Sequence, residues 1–439
     1  MKKISLIGVL LFFVFTAYAQ TQWTLRACLE YAVNHNIAVK QLELNKKGAE
    51  VNLNSSQMSR LPNLNAGASQ NWNFGRGETG SGLYENQTQS NASFNISSSI
   101  PLFTGFRISN EIARDRLNVQ AATLNLNKAK EDLSLNIASL YLQVLFNKEL
   151  LHVAEEQQTL SKTQVERTQS LVEAGKVPES QLSDMRAQAA NDDVSVIQAL
   201  NNMKLALLDL AQSLELEEIN GFDIVEPNFD DFLMSELYSP TAIYENALKT
   251  KPAIKMHETQ VESAEKALKI AQAGYLPTLN LNLGYGTNYF YSYDFPLNRP
   301  LGDQLKNNSG EYIGLNLNIP IFNRFSVKNQ VRSAQLNIEN NRFELENAKK
   351  VLFKEIQTAY LNATAAQEKY KASEIAVSAS TVSFSMATDK YAAGKSTVFE
   401  MNEARTKWIQ SRSNTIQAKY DFIFRSKILD FYLGKEIAL

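Results

Sequence analysis

The sequence predicts long α-helical coiled-coil hairpins combined with transmembrane β-strands, in a chain that is a tandem duplication. Four segments alternate apolar residues with small polar ones, and two long stretches, Phe106–Ala174 and Asn323–Ala393, contain neither glycine nor proline. Leu-Pro at 61–62 recurs at 276–277, and Ala-Gly-Lys at 174–176 recurs at 393–395. A nearly constant offset over most of a chain indicates an internal repeat.

The N-terminus predicts a secretory signal peptide at 1–19. Two lysines precede an apolar run, and Ala17-Tyr18-Ala19 supplies a small-residue cleavage site. The run is too short to cross a bilayer. Since Cys28 is the one cysteine of the chain, an internal disulfide is excluded, and we expect this side chain to be buried as a small apolar group.

Repeat one is predicted at 20–218. Its first helix begins near Thr24, a residue type that caps helix N-termini well. Strands follow at about 62–74 and 90–102, where leucine, alanine, isoleucine and aromatic residues alternate with asparagine and serine. An alternation of period two gives each strand one apolar face and one polar face.

The polar faces of these strands consist of asparagine, serine and glycine, whereas the outer face of a soluble sandwich normally carries lysine and glutamate. Strands of about ten residues with one apolar and one polar face are typical of a membrane barrel with a wet interior. About eight strands are the practical minimum for a closed barrel. Four strands per chain therefore predict a barrel that several chains share.

A helical hairpin completes repeat one. The stretch between Phe106 and Ala174 predicts a helix of roughly 100 Å, at 1.5 Å per residue. A tip at 174–178 follows, where Gly175 suits a left-handed C-cap. The return helix carries a coiled-coil stripe that only Asp192 interrupts. An ordinary amphipathic bundle would show the same stripe without needing the length.

An acidic stretch at 219–240, broken by glycine and prolines, predicts a linker. Repeat two, at 241–439, has the same plan, with strands at about 277–291 and 311–321 and a hairpin tip at 393–397. At this second tip, a threonine and a glutamate at positions 397 and 400 are spaced as a capping box.

Aromatic residues near the strand ends predict a girdle at the membrane interface. The candidates are Trp72, Tyr289, Tyr291 and Tyr312. The tyrosine-rich segment 288–310 predicts a flexible exposed loop between two strands.

Neither an enzyme nor a nucleic-acid-binding protein is indicated. The net charge is −2, with 44 basic and 46 acidic residues, so no basic surface for nucleic acid is predicted. The three histidines are scattered, and the pair His257-Glu258 lacks the second histidine of a zinc motif. We expect no catalytic residues, no cofactor and no metal site.

In this order, the motifs resemble those of the TolC-type outer-membrane efflux proteins. The resemblance covers nearly the whole mature chain and includes the Trp23-Thr24-Leu25 start, the Leu-Pro strand entries, the Ile-Pro-x-Phe strand exits and both glycine tips. It implies a homotrimer that pools four strands per chain into a 12-stranded barrel, continuous with an α-helical tunnel through the periplasm. A dimer would give eight strands, whose interior is filled by side chains.

The resemblance also implies functional residues at the hairpin tips. Glu400 and Glu403 match acidic residues that ring the periplasmic opening, and Tyr391 matches a tyrosine that helps to hold it shut. Alternatively, Glu400 only caps its helix and Glu403 only faces solvent. Docking of a periplasmic adaptor (a membrane fusion protein) is implied for six tip residues, namely Gly175, Lys176, Val177, Gly394, Lys395 and Ser396.

Two positions depart from the family pattern. Ser396 stands where the family example has an arginine that locks the closed state, and Gln181 stands where that arginine has its acidic partner. The lock is therefore missing from this sequence. Asp184 and Lys395 are the candidate substitutes.

Taken together, these features predict the outer-membrane exit channel of a tripartite efflux or secretion pump, extending into the periplasm. Its partners would be two further copies of itself, the adaptor, an inner-membrane transporter and outer-membrane lipid. The main alternative is a trimeric coiled-coil surface adhesin with a membrane β-anchor. Adhesins carry such an anchor once, at a chain end, whereas this chain carries strand pairs twice, in the middle of each repeat.

Overall fold

The computed structural model describes residues 22–78, 82–217, 219, 221–227, 238–294 and 298–435. The predicted signal peptide at 1–19 lies outside these ranges. The helices are α1 (Leu25–His35), α2 (Ile37–Met58), α3 (Arg107–Glu173), α4 (Glu179–Ser213), α5 (Pro240–Thr250), α6 (Pro252–Ala273), α7 (Leu301–Asn307), α8 (Ser326–Ala392) and α9 (Val398–Tyr432). The strands are β1 (Gln22–Trp23), β2 (Asn65–Glu78), β3 (Tyr84–Phe103), β4 (Asp223–Ile224), β5 (Thr278–Ser292) and β6 (Gly310–Asn318).

The duplication is visible in the lengths of the helices. Helices α1 and α5 both have 11 residues, and α2 and α6, which follow them, both have 22. Both long helices, α3 and α8, have 67 residues, and both return helices, α4 and α9, have 35. The two repeats therefore have the same helical plan in the same order.

The predicted first helix is interrupted in both repeats. Asn36 has extended ψ, and its side chain accepts hydrogen bonds from the backbone N–H groups of Ala38 and Val39, so that it ends α1 and caps α2. At the equivalent position Lys251 is extended, because the residue before a proline avoids the α region. Each repeat therefore opens with two helices.

The long strands form one antiparallel sheet in the order β2-β3-β5-β6. Within the described chain, β2 and β6 each have one unpaired edge. The prediction for the fourth strand ran to 321, but β6 ends at Asn318, before Pro320, which cannot donate to a ladder. The strand predicted at about 62–74 is β2, which begins later, at Asn65, and ends later, at Glu78.

Alternation gives this sheet two different faces. Exposed apolar side chains cover one face, including Leu64 at 76% and Ile313 at 79% of full exposure. Opposite them lie asparagine, serine and glycine, with the hydroxyls of Ser69 and Ser93 2.7 Å apart. A large exposed apolar surface requires a partner such as lipid or another protein.

The segment 288–310, predicted as a flexible loop, contains strand and helix. Strand β5 continues past the end of β6, and α7 covers its open edge. Three side-chain amides occupy the hydrogen-bonding positions of a missing strand: Asn308 donates to Asn288 O, Gln304 bonds both N and O of Phe290, and Asn298 bonds both N and O of Ser292. The backbone groups of β5 that β6 leaves unpaired are thereby satisfied.

Two compact units make up the fold. The first contains the described residues up to Gln41, Lys128–Lys251 and the described residues from Val351 onward; the second contains Leu42–Asn127 and Pro252–Lys350. Repeats 20–218 and 241–439 are therefore not separate compact domains, because strand β3 of repeat one pairs with β5 of repeat two.

The core of the first unit surrounds Tyr141, whose ring is fully buried with Cys28 and Ile224. Its hydroxyl donates to Val225 O at 2.6 Å and lies 3.2 Å from Trp23 O. These carbonyls belong to the short parallel pair β1–β4 and the residue after it.

The predicted linker at 219–240 therefore contributes to this core. It includes β4, and its last residue, Pro240, begins α5, for which Ser239 is the N-cap. Residues 228–237 lie outside the described ranges. None of the described helices has a stretch that is both long and apolar enough to span a bilayer.

Candidate functional site

Both hairpin tips are built by the same backbone turn. Gly175 and Gly394 have φ of 70° and 69°. Lys176 N donates to Leu171 O and Lys395 N donates to Lys390 O, each at 2.9 Å, which closes a Schellman motif at the end of each long helix. Glycine adopts positive φ without the steric cost that a Cβ would bring.

The six residues predicted to dock an adaptor are only partly alike in exposure. Gly175, Lys176, Gly394 and Lys395 are exposed. Val177 and Ser396 are half-buried. The tips thus present backbone and lysine side chains to solvent.

Glu400 and Thr397 form the capping box that the sequence predicts. Glu400 N donates to Thr397 Oγ1 at 3.2 Å, and Thr397 N donates to Glu400 Oε2 at 3.0 Å. One carboxylate oxygen of Glu400 therefore accepts a hydrogen bond from the backbone at the start of its own helix. Phe399, also in the first turn of α9, is a large apolar residue that is 77% exposed. It is not among the residues that the sequence predicts as functional.

Glu403 lies one turn further along α9 and is exposed. Lys407 Nζ is 2.7 Å from its carboxylate. The hydrogen bond from Lys407, and then its charge, hold the pKa of Glu403 below the ordinary glutamate value. Glu403 is consequently ionised over the whole neutral and mildly acidic range.

Three polar atoms near the tips are buried without a hydrogen-bond partner in the described part of the chain. They are Tyr391 Oη, Gln181 Oε1 and Ser396 Oγ. These atoms belong to the tyrosine that the sequence predicts at the gate and to the two positions that depart from the family pattern. A buried polar atom without a partner is costly.

The predicted substitutes for the missing lock form no ion pair among the described residues. Instead, Asp192 and Arg405 form a buried pair between α4 and α9, with each side chain 6% exposed. One partner of this pair is visible in the sequence, because Asp192 is the residue that interrupts the apolar stripe of α4.

The four girdle candidates do not share one face of the sheet. Trp72 and Tyr291 both lie opposite Ser90, and Tyr289 lies opposite Ala92, so these three belong to the apolar face. Tyr312 lies opposite Gly284, where a Cβ would collide with the tyrosine ring, and therefore sits on the polar face. The prediction that Tyr312 shares one girdle with the other three aromatic residues is therefore wrong, because it lies on the opposite face of the sheet.

Comparison with known proteins identifies the family. The family profile described as "Outer membrane efflux protein" matches residues 29–215 and 243–435, which is most of the chain. The chain belongs to the outer membrane efflux protein family. The predicted family and the outer-membrane location are confirmed.

The relatives and structures support the same assignment. Outer membrane protein TolC of Escherichia coli (strain K12) is 23% identical over 404 residues, covering 91% of this chain and 80% of that protein. Outer membrane efflux protein BepC of Brucella suis biovar 1 (strain 1330) is 20% identical over 417 residues, covering 95% and 86%. The outer membrane protein VceC of Vibrio cholerae superposes with a TM-score of 0.74 at 16% identity, covering 94% and 96%, which shows the fold alone.

An outer membrane efflux protein is a channel and not an enzyme. The family match thus favours the efflux channel over the surface adhesin.

Proposed function

We propose that this efflux protein is the passive, trimeric exit channel of a tripartite efflux or secretion pump. The observation that carries the proposal is the four-stranded sheet, with its exposed apolar face and its two unpaired edge strands, β2 and β6. An edge strand presents unpaired backbone N–H and C=O groups, and in lipid these must be satisfied. Pairing β6 of one copy with β2 of the next satisfies them.

Three copies fit this arrangement best. They would supply 12 strands, which leave a lumen, whereas the eight strands of a dimer would be filled by side chains. The apolar faces would then contact outer-membrane lipid, and the asparagine, serine and glycine faces would line water. The helical hairpins would extend the conduit through the periplasm.

Energy for transport would come from an inner-membrane transporter, joined through a periplasmic adaptor that docks on the tips. Gly175, Lys176, Val177, Gly394, Lys395 and Ser396 are the residues proposed to meet the adaptor. At the periplasmic opening, Tyr391, Glu400 and Glu403 from three chains would form the gate, with a carboxylate ring that attracts cations. One relative is named a proteases secretion protein, PrtF of Dickeya chrysanthemi, so a secreted protein is one candidate cargo.

The test is to purify the mature protein in detergent and measure its mass and its conductance in planar lipid bilayers. We expect a complex of three chains that forms water-filled channels. A protein that is monomeric and soluble without detergent would contradict the proposal. Lengthening the Gly175 turn by several residues should abolish export in cells while the complex still assembles, and normal export would argue against docking at the tips.

A further inference from the structure

A partly open cavity of about 350 Å³ lies within the first compact unit, where α1, α3 and the C-terminal end of α9 meet the residue between α5 and α6. Its size is at the lower end of the range for small-molecule sites. Four basic and two acidic side chains line it, namely Arg26, Lys130, Lys251, Lys435, Glu30 and Glu131. The lining therefore has an excess of positive charge, which remains when Asp430, 3.1 Å from Lys435, is counted as well.

Among these six charged residues, Lys251 alone is buried, with 7% of its side chain exposed. Its Nζ lies 3.1 Å from Glu131 Oε2 and 3.2 Å from the centre of the Phe431 ring, whose face attracts a cation. Burial lowers the pKa of Lys251, and the charge and hydrogen bond of Glu131 offset part of that effect. The cavity thus has a strongly desolvated ammonium group in its wall.

The hydrogen-bonding capacity of this ammonium group is not filled. A lysine carries three N–H donors, and within the described part of the chain Glu131 is the one hydrogen-bond acceptor of Lys251 Nζ. Buried polar groups normally have their hydrogen bonds made. A water molecule in the cavity would supply an acceptor, whereas an anion would supply both an acceptor and the negative charge that the lining lacks.

The equivalent residue of repeat one has a different role. Asn36 follows α1 as Lys251 follows α5, and the side chain of Asn36 accepts hydrogen bonds from the first backbone N–H groups of α2. A lysine has no acceptor and cannot cap the next helix in this way. Its side chain lines the cavity instead, so helix capping does not explain the residue at position 251.

The internal repeat also shows that the space itself can be filled. Leu29 and Tyr244 occupy the same place in α1 and α5, and Ser134 and Phe353 occupy the same place in α3 and α8. The rings of Tyr244 and Phe353 pack edge to face, with their centres 5.2 Å apart. Repeat one has a leucine and a serine at these positions, and both line the cavity.

The lining offers acceptors as well as donors. Ser134 Oγ donates its proton to Lys130 O at 2.9 Å, so the lone pairs of this hydroxyl are left to accept a hydrogen bond. The carboxylates of Glu30 and Glu131 also accept. A ligand with one charged oxyanion group and further hydroxyl groups would match this combination.

We propose that the cavity binds a small hydroxylated organic oxyanion, a carboxylate or a phosphate ester, whose charged group accepts a hydrogen bond from Lys251 Nζ. The inference goes beyond the proposed function, because the site shares no residue with the tips or with the sheet. Binding at this site and conduction can therefore be measured separately.

The test is isothermal titration calorimetry of the purified full-length mature protein in detergent, with citrate and glycerol 3-phosphate as probes and glycerol as the neutral control, all at matched ionic strength. We expect saturable binding of at least one of the two anions and none of glycerol. Lys251→Gln should weaken anion binding about tenfold or more, because it removes a hydrogen bond between charged groups.

A second variant blocks the cavity without removing a charge. Ser134→Phe introduces the residue that repeat two has at the same place, and it should weaken anion binding at least as much as Lys251→Gln. The matched control is Lys371→Gln on α8, which removes an exposed lysine and should change the affinity by less than about twofold, because salt screens exposed charges. If Lys251→Gln does not assemble, Ser134→Phe decides, and Leu29→Tyr supplies the other ring of repeat two if neither assembles.

Each outcome bears on the inference. Absence of saturable binding of both anions to the wild type would overturn it, and so would equal affinities in the wild type, Lys251→Gln and Ser134→Phe, since the anion would then bind elsewhere. Conductance of the same preparations in planar bilayers is the separate readout. Conductance without anion binding would overturn this inference alone, and anion binding without conductance would overturn the proposed conduit alone.

Discussion

At the residue scale, burial decides how individual side chains behave. Cys28 and Tyr141 share the core of the first unit, and burial raises the pKa of both side chains, that of Cys28 to about 12. Glu403 shows the opposite effect at an exposed site, where its lysine partner lowers the pKa. The raised pKa of Cys28 can be tested by thiol labelling, and the lowered pKa of Glu403 can be tested by the pH dependence of conductance.

Cys28 should be unreactive in the folded protein. Because its raised pKa keeps the thiol protonated at every pH below about 12, and because the thiolate is the reactive form, we expect no labelling by maleimide at pH 8. Unfolding in denaturant should allow complete labelling. Intact-mass measurement distinguishes the two states, and rapid labelling of the folded protein would contradict the burial of Cys28.

Lys407 should control the pH dependence of cation block. A lowered pKa keeps Glu403 ionised until the pH falls below the ordinary glutamate range, so in the wild type, block of conductance by Mg²⁺ should persist into that range. In Lys407→Gln the pKa returns toward its usual value, and block should be lost at a higher pH, while at neutral pH it is at least as strong. The measurement is the pH profile of block in planar bilayers.

The control for this experiment is Lys371→Gln, which removes a similar exposed pair with Glu368 further from the tip. Its pH profile should match that of the wild type. If Lys407→Gln has the same pH profile of block as the wild type, Glu403 does not act at the gate. If block is unchanged after Glu400 and Glu403 are both replaced by alanine, neither acid does.

At the scale of elements, single hydrogen bonds and single glycines determine how the pieces join. Tyr141→Phe removes the donor to Val225 O and leaves a buried carbonyl at the β1–β4 pair without that bond. We expect a loss of about 1–3 kcal/mol in the free energy of unfolding. Chemical denaturation in detergent measures it, with Tyr84→Phe, at an exposed position on β3, as the control that should change little.

Alanine should destabilise the protein when it replaces a tip glycine and stabilise it when it replaces a glycine inside a helix. Gly175→Ala and Gly394→Ala force a Cβ into positive φ, at a cost of about 1 kcal/mol or more each. Gly48 lies in the middle of α2, and a Cβ added there would meet no atom from outside its own helix backbone within 4 Å, so Gly48→Ala should stabilise the protein by about 0.5–1 kcal/mol. Thermal unfolding compares the three, and equal effects would contradict the turn geometry.

How far the sequence predicts the elements depends on local signals. Gly175 and Gly394 mark the tips because a helix end needs a residue with positive φ, and Thr397 marks a cap. The break at Asn36 is missed because asparagine is tolerated within helices, and only its contacts with the next turn show that it caps α2.

The site residues differ in the same way. Strand parity alone could have excluded Tyr312 from the apolar face, since its neighbour Ile313 lies on that face. The Asp192–Arg405 pair could not be derived from local pattern, because its partners are 213 residues apart. A charge within an apolar stripe predicts a partner but does not identify it.

At the scale of the whole molecule, the two faces of the sheet should respond oppositely to charge. Leu315→Arg places a guanidinium on the exposed apolar face, where lipid contact would cost about 2–4 kcal/mol near the middle of a bilayer. Asn316→Arg places the same group on the polar face. We expect the first variant to reduce the amount of heat-resistant oligomer in the outer-membrane fraction.

Asn316→Arg should assemble normally and shift conductance or ion selectivity, because its charge would line the lumen. Each variant is the control for the other, since the two positions are adjacent in β6 and receive the same residue. Equal assembly of both variants would contradict a lipid-facing role for the apolar face.

The side chains that cover the end of β5 have a consequence for how copies recognise one another. Asn298, Gln304 and Asn308 occupy the backbone positions of β5 that β6 leaves open, so a foreign strand cannot insert there and shift the register. In the proposed assembly, copies would then pair through the outer edges of β2 and β6. In a ring built in this way, β6 of each copy would meet β2 of the next, and the amide cover of β5 would disfavour mispaired assemblies when separate chains first meet.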